Sequence, residues 1–111
     1  MKSFHLTQLL AEREQSDRRY LEFLRVSSLS SGIYVLAAGA VDPQKPHTED
    51  EVYFVIRGRA AFACEGQDHQ VEPGTILFVE AGVDHRFHSI TEELEVLVLF
   101  APCEGSLKKP G

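Results

Sequence analysis

Clustered positive charge is missing from this 111-residue chain: its densest basic spots are the pairs Arg18-Arg19 and Lys108-Lys109. With 11 Lys and Arg against 17 Asp and Glu, the formal charge is −6. A protein that neutralises phosphates needs a basic face, so nucleic acid and anionic membranes are not expected partners. Long apolar runs are missing as well. The longest apolar stretch, Ile33 to Val41 with Gly32 before it, is far too short for a spanning helix. The opening MKSFHLTQLLAERE carries Glu12 and Glu14 and has no apolar centre, so it does not read as a secretion signal, and the expected location is cytoplasmic. Two cysteines, Cys64 and Cys103, are too few for a disulfide framework and are expected reduced and small in a packed interior. Internal repeats, linkers and low-complexity tracts are also lacking. What remains is one domain, residues 1–111, large enough to bury about two-thirds of its unfolded surface.

One helix is expected, in residues 6–14 (LTQLLAERE), where Leu6, Leu9 and Leu10 recur at helical spacing among good helix formers. From Tyr20 onward the helical period is gone. Short apolar runs follow at 20–26, 33–38, 51–57, 60–64, 76–80, 85–90 and 94–101, separated by turn residues such as Ser27-Ser28, Gly58, Glu65-Gly66 and Pro73-Gly74. Strands at that spacing without long crossovers predict an all-β antiparallel sandwich or barrel. The expected division is a helical segment at 1–19, a β-barrel at 20–103 and a flexible tail at 104–111.

The stretch PQKPHTEDEVYFVIRG, residues 43–58, sets a histidine in a polar turn ahead of three acids and a core strand. Alternation along 51–57 puts Glu51, Tyr53 and Val55 on one face and Val52, Phe54 and Ile56 on the other. An ionised carboxylate beside Tyr53 on an inward face is costly unless something positive meets it. His47 lies just upstream, and His85 opens the later run HRFHSI. Two neutral imidazoles and a carboxylate converging from separate strands would suit one divalent transition metal. Each residue alone has a plainer reading, as a turn histidine, a solvated acid or a polar strand end. His88 is expected to face away from His85, with Arg86 and Ile90, while Phe87 is expected to line the pocket. His5 shows no partner, and His69 is expected in solvent.

The joint spacing resembles the two motifs of small single-domain cupins. Gly39 is followed after five residues by Lys45-Pro46-His47, then by Glu51 and, after six more residues, by Gly58. Gly74 is followed after five residues by Glu80-Ala81-Gly82, then by His85 and Ser89. The resemblance implies an RmlC-like jelly-roll, a double-stranded β-helix of the cupin 2 type, with His47, Glu51 and His85 as three of four expected ligands. It departs at Lys45, which stands where the remaining ligand histidine is expected and, as an ammonium, has no lone pair to give. Gln44 beside it is a substitute oxygen ligand, although alternation sets it opposite Lys45. The metal could be Fe, Mn, Ni, Co or Zn.

The family hosts many chemistries, so the resemblance implies dioxygenase- or isomerase-type action on a small polar molecule without choosing between them. Tyr53 is the candidate acid beside the metal. A non-catalytic cupin that binds or senses a metabolite, and a metal-free carbohydrate epimerase, are the competing expectations. Both faces of 51–57 and of 94–100 are apolar, which predicts a homodimer.

Overall fold

The computed structural model describes residues 1–109. Helix α1, Leu6–Ser16, is followed by six strands: β1 Tyr20–Val26, β2 Leu29–Leu36, β3 Asp50–Cys64, β4 Gln67–Val71, β5 Ile76–Val79 and β6 His85–Ala101. All pairings are antiparallel, in the order β1-β2-β6-β3-β4, with β5 added on β3. This is the expected jelly-roll barrel with its short N-terminal helix. Among the described residues no helix is long and apolar enough to cross a membrane.

Two pairs of expected strands are single long strands. Gly58 does not end a strand; it lies inside β3 with φ +102, where a Cβ would fall 2.3 Å from the Glu93 carbonyl oxygen. The β3–β6 register slips between Val55 and Ala61, so Gly58 marks a bulge rather than a turn. Extra residues there increase the local twist and curl the two longest strands around the core. β5 then pairs with Glu51–Phe54 at one end of β3, and β4 with Ala60–Cys64 at the other. In β6, Ser89 takes φ +51. Alternation is broken at that point, and Ile90, expected outside with His88, lies in the core at 4% exposure.

The barrel interior is built from Tyr53, Val55, Phe62, Phe87, Leu94, Val96 and Val98, with Leu36 from β2. On the outside of β2, Ile33 and Val35 are covered by Leu9 and Leu10 of α1. β2 is therefore apolar on both faces, which explains its unbroken apolar run. Leu6, the third residue of the expected stripe, remains exposed. His5 has a partner after all: its Nδ1 caps α1 by accepting from the Thr7 N–H at 3.3 Å.

The segment after β6 is anchored. Glu49 is 1% exposed, and its carboxylate accepts from the backbone N–H of Gly105 at 2.7 Å and of Leu107 at 3.1 Å. Thr48 adds its hydroxyl. Ser30 Oγ accepts from the Glu104 N–H, and Arg25 donates to the Glu104 carbonyl. Of the expected tail, Pro110 and Gly111 lie outside the described residues.

Candidate metal centre

Glu51 is the second residue of β3, and His85, the first of β6, pairs with Cys64 at the opposite end of β3. The curl of β3 closes the barrel and brings its two ends together over one point. His47 reaches that point from the β2–β3 loop, where its carbonyl accepts from the Gly82 N–H at 2.7 Å. His47, Glu51 and His85 each offer a ligand atom, and those atoms all lie within 4.8 Å of one another. His85 Nε2 is 3.0 Å from Glu51 Oε1, and His47 Nε2 is 3.9 Å from the same oxygen.

The contacts behind the histidines set which nitrogen faces inward. His85 Nδ1 donates to the Val83 carbonyl at 2.8 Å, so in the neutral ring Nε2 carries the lone pair, and Nε2 faces Glu51. His47 Nδ1 lies 3.6 Å from Glu104 Oε2, with Nε2 again toward the centre. The Glu51 carboxylate is 2% exposed, and neither of its oxygens makes an aligned hydrogen bond among the described residues, despite the close approach of His85. Lone pairs facing lone pairs in a buried pocket need a positive charge between them. Burial lowers the His85 pKa, but Glu51 and the Val83 carbonyl outweigh it, and the net direction is upward. The pocket thus favours a cation, and a donor set of two imidazoles and a carboxylate fits a divalent transition metal.

Gln44 lies beside these three residues. Its amide Nε2 donates to Asp42 Oδ2 at 2.7 Å, while its Oε1 turns inward, 3.3 Å from His47 Nε2. Tyr53 donates its hydroxyl proton to the same Oε1 at 2.7 Å and lies 3.0 Å from His85 Nε2. Burial, then Glu51, pushes the Tyr53 phenol well above its ordinary value, so it stays a neutral donor. Lys45 is exposed and lines an outer cleft of about 610 Å³ that also reaches Gln44, Cys64, His85 and Arg86. The chain thus turns Gln44 in and Lys45 out, the arrangement the sequence left open.

Other expectations fare differently. Phe87 is buried in the barrel, its ring 5.1 Å from Tyr53 and 4.8 Å from Phe62, and it lines neither the outer cleft nor the inner chamber at the site. His88 is outside the centre and bonds Asp68 of β4 at 2.7 Å. His69 is exposed on β4. Sequence reasoning missed Asp42, 5% exposed, whose four accepted hydrogen bonds organise the site from behind. It also missed Glu104 and Tyr20, which line the inner chamber of about 150 Å³ with His47, Glu51, Val98 and Phe100.

Comparison with known proteins agrees with this fold. The family model described as a cupin domain matches residues 32–102. An uncharacterized protein of Streptomyces coelicolor is 52% identical over 105 residues, covering 95% of this chain and 100% of that protein. Acireductone dioxygenase of Bacillus mycoides is 32% identical over 99 residues, covering 81% of this chain; the chain spans 58% of that enzyme's length. Among solved structures, an RmlC-like cupin from Shewanella frigidimarina superposes with a TM-score of 0.69 at 19% identity, covering 75% of this chain and 74% of that one.

Proposed function

The chain belongs to the cupin domain family, and we propose that it binds one divalent transition metal through His47, Glu51 and His85 and acts on a small polar molecule beside it. The observation that carries this reading is the Glu51 carboxylate, buried without an aligned hydrogen bond and faced by the Nε2 atoms of both histidines. Gln44 supplies the fourth donor through Oε1, in place of the histidine that Lys45 displaces. A metal held by these residues would supply Lewis-acid polarisation and, for Fe, Mn, Co or Ni, a route for electron transfer. Tyr53 holds a neutral hydroxyl at the centre, and Val98 and Phe100 keep the inner chamber apolar. The likeness to acireductone dioxygenase supports oxygen-dependent chemistry over isomerisation.

A second reading, a module that binds a metabolite without turning it over, draws support from Tyr53. Its single proton is engaged by Gln44, which leaves Tyr53 without a free proton to give a substrate at the centre. The proposal further has the protein working in the cytoplasm as a homodimer. Support comes from the free thiols of Cys64 and Cys103 and from the exposed apolar side chains of β3, β5 and β6.

The test is metal content by mass spectrometry of untagged protein, wild type beside His47→Ala and His85→Ala. Near-stoichiometric metal in the wild type, lost in both variants, is expected. Wild-type protein that stays metal-free after reconstitution would overturn the proposal. Oxygen consumption over a panel of small polar compounds then separates catalysis from binding.

A further inference from the structure

Tyr20 opens β1 and pairs with Tyr34 on β2. The two phenols have opposite fates. Tyr34 donates to Asp42 Oδ1 at 2.6 Å and so belongs to the frame behind Gln44. The Tyr20 hydroxyl is fully buried and meets no hydrogen-bond partner among the described residues. Its position is built into the backbone. A Cβ at Gly32 would lie 2.3 Å from Tyr20 Cζ and 2.5 Å from its hydroxyl, so the ring lies where only a glycine leaves room. Folded proteins seldom leave a buried donor unmatched without a use for it. Here Tyr20 is among the residues that line the same inner chamber as His47 and Glu51. Burial, with Glu104 next, drives its pKa far upward, so it keeps its proton.

We propose that Tyr20 is the substrate-orienting donor of the inner chamber, its hydroxyl bonding a carbonyl or hydroxyl oxygen of a small neutral hydroxy- or keto-compound. The inference rests on the metal-site reading for the far end of the chamber, while the Tyr20 end stands on its own geometry. A volume of about 150 Å³ holds about five water-sized groups, which limits the ligand to a few heavy atoms. Val98 and Phe100 offer its carbon skeleton an apolar wall. Glu51 and Glu104 line the same space and disfavour a free carboxylate.

The experiment is a saturation-transfer NMR titration of hydroxyacetone into zinc-loaded protein, with zinc content and melting temperature measured on every preparation. Saturable binding is expected in the wild type and about tenfold weaker binding in Tyr20→Phe, the loss of one buried hydrogen bond. Tyr20→Phe should keep its zinc and melt no lower than the wild type, because it deletes an unmatched polar group. Gly32→Ala, which pushes the ring aside, should weaken binding as well. Equal affinity in wild type and Tyr20→Phe, or absence of saturable binding in the wild type, would overturn the assignment; so would loss of zinc in Tyr20→Phe. Should the wild type take up no zinc, the metal reading fails separately. The titration then runs on metal-free protein, where dependence on Tyr20 still decides.

Discussion

Asp42 dictates which atom Gln44 shows to the candidate metal centre. An ionised carboxylate accepts hydrogen bonds and donates none, so the end of the amide that meets Asp42 Oδ2 at 2.7 Å is the NH2 group. The carbonyl oxygen is left facing Tyr53 and His47. Removing Asp42 frees the amide to turn. Asp42→Ala is expected to weaken metal binding about 10-fold or more, as loss of an orienting partner does. Gln44→Ala should weaken it similarly, and the double variant should be no worse than Gln44→Ala alone. Chelator competition measures all three, and additive losses would show that Asp42 does not act through Gln44.

Much of this centre is legible in the sequence, and the misses have physical causes. His47, Glu51 and His85 can be found because their spacing follows from strand length and turn size, both local properties. The in-and-out order of Gln44 and Lys45 cannot, because residues 37–49 lie outside regular strands and the period-two rule has no hold there. Gly58 misleads because glycine serves bulges and turns equally well, and only the approach of the Glu93 carbonyl tells them apart. Asp42 looks like a turn residue before a proline, yet it bonds Phe87, 45 positions away. Glu49 is hidden in the same manner: its partners Gly105 and Leu107 lie more than 50 positions along the chain.

Glu51 carries the charge argument, and its neutral isostere tests it. Glu51→Gln keeps the shape of the side chain but removes the negative charge that draws a cation between the histidines. Metal content should fall to background, with the fold retained. Wild-type protein should also melt at a lower temperature after chelation: a metal present at about 100 times its Kd adds about 2.7 kcal/mol. A melting curve indifferent to chelator, or full metal occupancy in Glu51→Gln, contradicts Glu51 as a ligand.

Glu49 pins the segment after β6 with charge-assisted hydrogen bonds to two backbone amides. Glu49→Ala removes both at once in a site 1% exposed, with an expected cost of about 2–3 kcal/mol. Hydrogen exchange at Gly105 and Leu107 should rise by far more than at Val96 in the middle of β6. Uniform acceleration across the chain would mean the carboxylate stabilises the fold as a whole and not this segment.

Cys64 is half-buried beside two acids. Burial raises its thiol pKa, and Glu65 and Asp84 raise it further. A raised pKa means less thiolate at any given pH, so iodoacetamide should label Cys64 more slowly than a free peptide thiol at neutral pH. The rate should go on climbing at alkaline pH after the peptide thiol has levelled off. Labelling as fast as the peptide at neutral pH would refute this.

The outer face of β3, β5 and β6 is half covered. Where α1 lies over β2, Leu9 and Leu10 bury Ile33, Val35 and Leu97, which demonstrates what this surface requires. Further along the sheet Phe54, Ile76, Phe78 and Leu99 stay exposed, at 37%, 67%, 62% and 36%. They are neighbours by strand register: Phe54 pairs with Ile76, and Val52 with both Phe78 and Leu99. At the rim stand ion pairs of both signs, Arg57 with Glu95 and Arg59 with Glu72. A two-fold axis through such a patch sets apolar against apolar and lets each rim charge meet its opposite on a second copy. We propose this face as the interface of the predicted homodimer, and one charge at its centre should split it. Phe78→Glu is expected to halve the mass measured by light scattering at micromolar concentration, with metal content unchanged because Phe78 points away from the barrel interior. A wild-type monomer, or a Phe78→Glu dimer, removes this face as the interface.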